Sequence, residues 1–367
     1  MRKLYFSAPF QKCCLFAMLA INFLPGQAQS QQLKITDFSI FGTNTVQIGS
    51  SSKVLAGAAG SRYSIKTNSN VSIAGALYSG ENIQLGNSNK IYGNVSAANS
   101  SASSGYIFTA GSGAFLDGNI DVNGNSKVTS GTITGKLTHP SGTTYQGPQP
   151  GGGNIVGTPT LPTLPIMPTI TNFPAAGSTN ITGSKTISPG AYGNMNLPGK
   201  KTITFSGPGV YVFKSIKNWG LYLNNFVFDF KNKPGAFKIY VYNDVDLNIS
   251  NIDIINGGGA SRIYLETHGS GSSCSLGSYA FTMTNWFGLG RSSEWFGTVY
   301  APYAGINIGS GASSSKIKGA LWSTKAVNLQ YGVELSFDPF VQCSIPDAEA
   351  GPQKELDCTV TSLQLEG

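Results

Sequence analysis

Apolar residues alternate with polar ones in short runs of three to five positions along most of the chain, and Gly, Ser and Asn break each run. A period of two over so few residues predicts short strands joined by turns. Three segments align: VQIGSSSKVLAGAA from Val46, IQLGNSNKIYGNVSA from Ile83 and INIGSGASSSKIKGALWS from Ile306. Each reads apolar-x-apolar-Gly, a small polar turn, Lys, an apolar residue and then Gly within three positions. A shorter element recurs as IAGAL (73–77), IYGNV (91–95), LDGNI (116–120), ITGKL (133–137) and IKGAL (317–321), with FGTV (296–299) a close variant. In the first four, Gly75, Gly93, Gly118 and Gly135 are 18, 25 and 17 residues apart, and the long gap holds SAANSSASSG (96–105), read as a looped-out insertion. A period of about 18 is too short for two paired strands with ordinary loops. It suits one coil of a solenoid whose strands stack about 4.8 Å apart. The expected fold is all-β, a right-handed parallel β-helix (β-solenoid), with Ile, Val and Leu laddered inside and turn glycines supplying positive φ.

The pattern fails over residues 139–171, where Pro162, Pro165 and Pro168 fall every third residue. That is the polyproline II period, so LPTLPIMP is expected to be an extended strap, either separating two domains or lying along one continuous solenoid. The predicted organisation is an N-terminal solenoid block at 29–138, the strap, and a C-terminal block at 172–342 with stronger runs such as KTITFSGPGVYVF and FKIYVYNDVDLNI. Residues 343–367 shift in composition and read as the start of a truncated Ig-like domain.

Residues 1–28 carry Arg2, Lys3 and Lys12, an apolar run from Cys13 to Leu24 and small residues around Ala28, the pattern of a secretory signal peptide. The run is too short for an ordinary transmembrane span, so the mature chain is expected to be exported, extracellular and not inserted in a membrane. Removing that leader lowers Lys+Arg from 24 to 21 against 17 acidic residues, and the formal charge from +7 to +4. The remaining cations are scattered singly, which argues against nucleic acid as a partner. Cys274, Cys343 and Cys358 remain, an odd number with no C-x-x-C pair, and two histidines in the chain make a structural zinc site untenable. No cofactor is expected.

LPTLPIMPTITNFPAAGSTNITGSKTISPGAYGNMNL (161–197), GPGVYVFKSI (207–216) and WFGTVYAPYAGINIGSGASSSKIKGALWS (295–323) together resemble the β-helical, adhesin-like module of large multidomain bacterial surface proteins. The tail AEAGPQKELDCTVTSLQLEG is similar to the opening of the Ig-like or PKD-like repeats that follow such modules. The ISPGAYG, YVF, GTVYAP and GALWS stretches also look loosely like ice-binding β-helices. The first resemblance implies a cell-surface scaffold or interaction platform with an unknown surface ligand, polysaccharide or protein, and no catalytic residues. The alternative it leaves is a carbohydrate-binding or ice-binding β-helix, and behind that a polysaccharide-degrading enzyme.

The candidate chemistry is sparse. Asp244 and Asp246 share strand parity and, with Asn243 or Asn248, form a calcium candidate; otherwise they solvate an outward face. Asp253 and the Glu266/His268 pair on LETHGSG are the other acid–base candidates, with His268 expected in a surface loop. Ice binding needs hydroxyls repeated rung over rung, and the pairs Thr132/Thr134 and Thr202/Thr204 do not recur at equivalent positions. Tyr78, Tyr300 and Trp322 follow the inward Leu77, Val299 and Leu321, so alternation turns them outward. They are the ligand-binding candidates if exposed, and packing residues if the strap covers them. All four tryptophans, Trp219, Trp286, Trp295 and Trp322, fall in the C-terminal block.

Overall fold

A computed structural model describes residues 32–98, 105–219, 222–271, 278–285, 292–309 and 315–341. The expected leader, the Ig-like start, the three cysteines of the mature chain, Trp286 and most of the 96–105 insertion lie outside these residues. Among the described residues every ladder is parallel, and the strands form a β-solenoid with three faces. Sheet 1 has thirteen strands, sheet 2 has twelve, and the third face is an eight-stranded and a four-stranded segment end to end. The repeat units fall in register. In the unit starting at Val46, Thr45–Ile48 lies on sheet 2, Lys53–Val54 on the third face and Ala58–Ser61 on sheet 1.

The glycine of each unit sits at the corner leading into sheet 1. A Cβ on Gly75 would lie 2.0 Å from the Gly57 carbonyl oxygen, and one on Gly319 would lie 2.1 Å from that of Gly297. Gly93, Gly118 and Gly135 stack in the same way. This corrects the expectation that positive φ selects these residues: Gly57, Gly297 and Gly319 do have it, but Gly75, Gly93, Gly118 and Gly135 do not. Close approach of the backbone one rung away excludes a side chain at this corner.

Sheet 1 runs outward from its middle. Phe38–Gly42, the first strand among the described residues, pairs on one side with Ala58–Ser61 and on the other with Leu321–Ser323. Thr45–Ile48 likewise lies beside Ala326–Leu329, and Lys53–Val54 beside Glu334–Phe337. Residues 38–156 therefore wind from the middle of the solenoid to one end, and residues 181–337 wind from the other end back to the middle. At the junction, one rung is composite. Ala326–Leu329 and Glu334–Phe337 supply its sheet 2 strand and its third face, and Phe38–Gly42 supplies its sheet 1 strand.

This topology requires the chain to return along the whole length once, and the proline-rich segment does so. Thr160 N–H donates to Asp121, Arg62 to the Pro165 carbonyl, Tyr300 to the Pro168 carbonyl and Thr171 to Glu266, and Gly177 abuts Ala191. Those partners follow sheet 1 in reverse order, across ten strand spacings, or about 48 Å. Seventeen residues of polyproline II span about 53 Å, so an extended strap fits the distance.

Two cores result. The inner one holds the laddered aliphatics, with Phe205, Tyr211, Phe228, Phe237, Phe281 and Trp295 filling the C-terminal half. The second lies outside sheet 1, where Phe41, Val212, Tyr240, Tyr264, Tyr300 and Trp322 pack with Phe173 and Phe340.

Candidate functional site

The outward side chains of sheet 1 form one register line. Val212 pairs with Tyr240, Tyr240 with Glu266, Glu266 with Tyr300, Tyr300 with Trp322, and Trp322 with Phe41. The parity read from the sequence holds, because Leu77, Val299 and Leu321 are in the inner core while Tyr78, Tyr300 and Trp322 lie on the outer side. Of the two environments left open for these rings, the covered one is found. Tyr300 is 1% exposed and Trp322 3%. Each has a polar partner suited to burial: the Tyr300 hydroxyl donates to the Pro168 carbonyl at 3.0 Å, and Trp322 Nε1 donates to the Phe38 carbonyl at 2.9 Å. Tyr78 is half-buried, edge-on to Phe38.

At the centre of the line is Glu266, fully buried. Its Oε1 accepts from Thr171 N–H and His268 Nε2, both at 2.9 Å, and its Oε2 accepts from the Thr171 hydroxyl at 2.6 Å and the Tyr264 hydroxyl at 3.0 Å. Four donors saturate a carboxylate, which is how a buried one becomes tolerable. Burial first, then Glu266, pushes the Tyr264 phenol far above its ordinary range, and the same causes raise Tyr300. Both phenols therefore stay protonated as donors. His268 is not in a surface loop as expected. Its ring stacks on Phe173 at 3.7 Å, Phe173 stacks on Tyr240 at 4.6 Å, and the Tyr242 hydroxyl donates to the Phe173 and Pro174 carbonyls. Glu266 and His268 thus clasp the strap, and the sequence signal was Thr171 and Phe173 immediately after the proline period.

Between strap and sheet lies a cleft of about 520 Å³, with Tyr240, Tyr264, Trp322 and Phe340 among its walls and Lys238 and Thr169 at its polar edge. Sequence reasoning reached Trp322 but not the others, because the cleft exists only once the strap is laid on the sheet.

The remaining candidates are not brought together. Asp244 is buried at a corner, where its Oδ1 accepts from Gly271 N–H at 2.9 Å. Asp246 lies outward on sheet 2 between Lys217 and Thr282. Burial is the main cause that raises its carboxyl above 3.8; Lys217 opposes and Asp244 adds to that shift. Asp253, on the third face, accepts from Asn225 and Asn251. No group of three or more His, Cys, Asp or Glu is placed to hold a metal among the described residues. Thr132 is beside Phe115 and Thr134 donates to Asp117; Thr204 pairs with Thr186 on one side and Val227 on the other, and Thr202 pairs with Asn225. Trp295 belongs to the inner core, and Trp219 is exposed.

No family model and no curated protein matches the chain, and the resemblance to the adhesin-like module has no support from that side. Among solved structures, an ice-binding protein from an Antarctic bacterium, Flavobacteriaceae, is similar at 11% identity over 88% of this chain and 98% of that one, with a TM-score of 0.23. A likeness at that level has no bearing on what this chain does.

Proposed function

We propose that this chain is a non-catalytic display module of an exported bacterial surface protein, carried side-on rather than as an in-line spacer. The observation behind this reading is where the described chain meets the solenoid. Leu33 N–H is bonded to Thr163 of the strap, Phe38 begins the central strand, and Phe340 and Val341 leave across Thr298 and Ser261 on the same face. An in-line spacer passes its ends out at opposite poles. Here Leu33 and Val341 both lie near the middle of one face, so a rod attached through them, about 58 Å long for thirteen stacked strands, projects to both sides of its attachment. The outward row of sheet 2 from Lys127 to Gln47, which meets solvent, then becomes an interaction surface.

Two further observations support the reading. The acceptors of Glu266, the buried acid–base candidate, are already taken by Thr171 of the strap and by Tyr264 and His268. The outward row of sheet 2 runs Lys127, Thr109, Gln84, Lys66, Gln47 and Asn328, a mixed polar surface without the repeated hydroxyl that ice binding demands.

The test fuses a fluorescent donor domain before residue 29 and an acceptor domain after residue 341. Side-on mounting gives efficient energy transfer, and small-angle scattering finds a third arm. Lost transfer, with a maximum dimension longer by about the rod length, would overturn the reading. New reducing ends on incubation with polysaccharides would overturn its non-catalytic part.

A further inference from the structure

We infer that the cleft between strap and sheet 1 binds a single sugar ring bearing a carboxylate, of the uronic-acid class. This goes beyond the display reading and does not rest on it. Three features converge on that ligand. The first is the volume, about 520 Å³, inside the range of about 300–1,000 Å³ typical of small-molecule sites.

The second is a rigid aromatic lining. Trp322 is fixed by its bond to the Phe38 carbonyl, Tyr264 by its bond to Glu266, and Phe340 by its tilted packing on Tyr264 at 5.0 Å. With these polar tips already engaged, the small part of each ring left accessible, 3% of Trp322, 8% of Tyr264 and 9% of Phe340, is apolar, which suits the C–H face of a pyranose.

The third is charge. Lys238 is half-buried at the cleft edge, one rung from Tyr264, and makes no ion pair among the described residues. The nearby acid on the sheet, Glu266, has spent its acceptors on Thr171, Tyr264 and His268. The cleft therefore keeps an uncompensated ammonium beside an apolar lining, and a ligand carboxylate gains a charge-assisted hydrogen bond there. Thr36 and Thr169 also line the cleft, residues whose side chains can hydrogen-bond sugar hydroxyls. A purely apolar ligand would leave the lysine uncompensated, and a bare carboxylate would leave the aromatic lining unused.

Saturation-transfer NMR and calorimetry with glucuronate, glucose and acetate, each against the whole chain, test this. Glucuronate should bind about tenfold or more tighter than glucose or acetate, with transfer to its ring protons and weakening as salt rises. Lys238→Gln should abolish the preference over glucose at unchanged melting temperature, and Lys238→Arg should retain it. Acetate binding as well as glucuronate would sink the ring-recognition part. No binding of glucuronate, or equal binding by Lys238→Gln, would overturn the proposal altogether.

Discussion

Sheet 1 and sheet 2 are built from the same repeat, with the same inward Ile, Val and Leu, yet the outward rows of the N-terminal half of sheet 2 and the C-terminal half of sheet 1 have opposite fates. On sheet 2 the outward central row reads Gln47, Lys66, Gln84 and Thr109, and these side chains meet solvent. On sheet 1 the outward row of the C-terminal half reads Tyr240, Glu266, Tyr300, Trp322 and Phe41, and the strap buries it; on sheet 2 the same half places Thr282 and Asn307 outward, and they are buried as well. The strap follows from topology: residues 38–156 wind from the middle to one end and residues 181–337 from the other end back, so the segment between them must travel along the outside once. The face that receives it becomes the interior of a second core. Outward parity thus specifies which side of a strand a residue takes, whereas exposure depends on whether a distant segment passes over it.

The sharpest way to break this contrast is Tyr300→Ala with Trp322→Ala. If sheet 1 is a covered face, the pair costs on the order of 4–7 kcal/mol, allowing for non-additivity between neighbours. The matched change on sheet 2, Gln47→Ala with Lys66→Ala, should stay within about 0.5 kcal/mol. Urea denaturation measures both, and equal small effects would mean the strap does not bury the rings.

Glu266→Gln comes next. The amide keeps the shape but turns one oxygen into a donor facing donors, at a cost of about 1–3 kcal/mol. The loss should be concentrated in the clasp, so hydrogen exchange at Thr171 N–H should accelerate more than exchange in the inner strands. Uniform acceleration would show that Glu266 supports the solenoid generally.

The smallest effect concerns Asp246, part-buried on sheet 2 between Lys217 and Thr282. Its carboxyl is raised above 3.8 mainly by burial, so the folded state holds the proton more tightly than the unfolded chain. Stability is then lost as pH climbs from about 3.8 through the folded value. Asp246→Asn should melt slightly higher than the parent at pH 7 and at the same temperature near pH 3, in a calorimetric series. A variant less stable at pH 7 would mean that the Lys217 attraction outweighs desolvation.

Much of the fold was legible in the chain. The glycines at 75, 93, 118 and 135 marked one corner, and Leu77, Val299 and Leu321 set the parity that placed Tyr300 beside Trp322. Pro162, Pro165 and Pro168 announced an extended strap. What the chain did not disclose was pairing between residues nearly three hundred positions apart, such as Phe41 with Trp322, because a repeat fixes what a rung looks like and not which rung follows which. The clasp was hidden for the same reason. Glu266 and His268 read as a possible acid–base pair until Thr171 and Phe173, ninety-five residues away for Thr171 and Glu266, are laid over them. The cleft was less legible still, since Lys238 and Phe340 bear on it only through the strap.

The central claim is that the first rung among the described residues lies against the last, and a designed disulfide tests it most directly. Gln47 and Asn328 are register partners on adjacent strands of sheet 2, at the strand spacing of about 4.8 Å, within the range a disulfide spans. With both replaced by cysteine in a monomeric protein, mild oxidation should yield the linked 47–328 peptide pair by mass spectrometry, as efficiently as the control pair at Gln47 and Lys66. A control pair that links while the 47–328 pair does not would contradict the continuous, mid-cut solenoid.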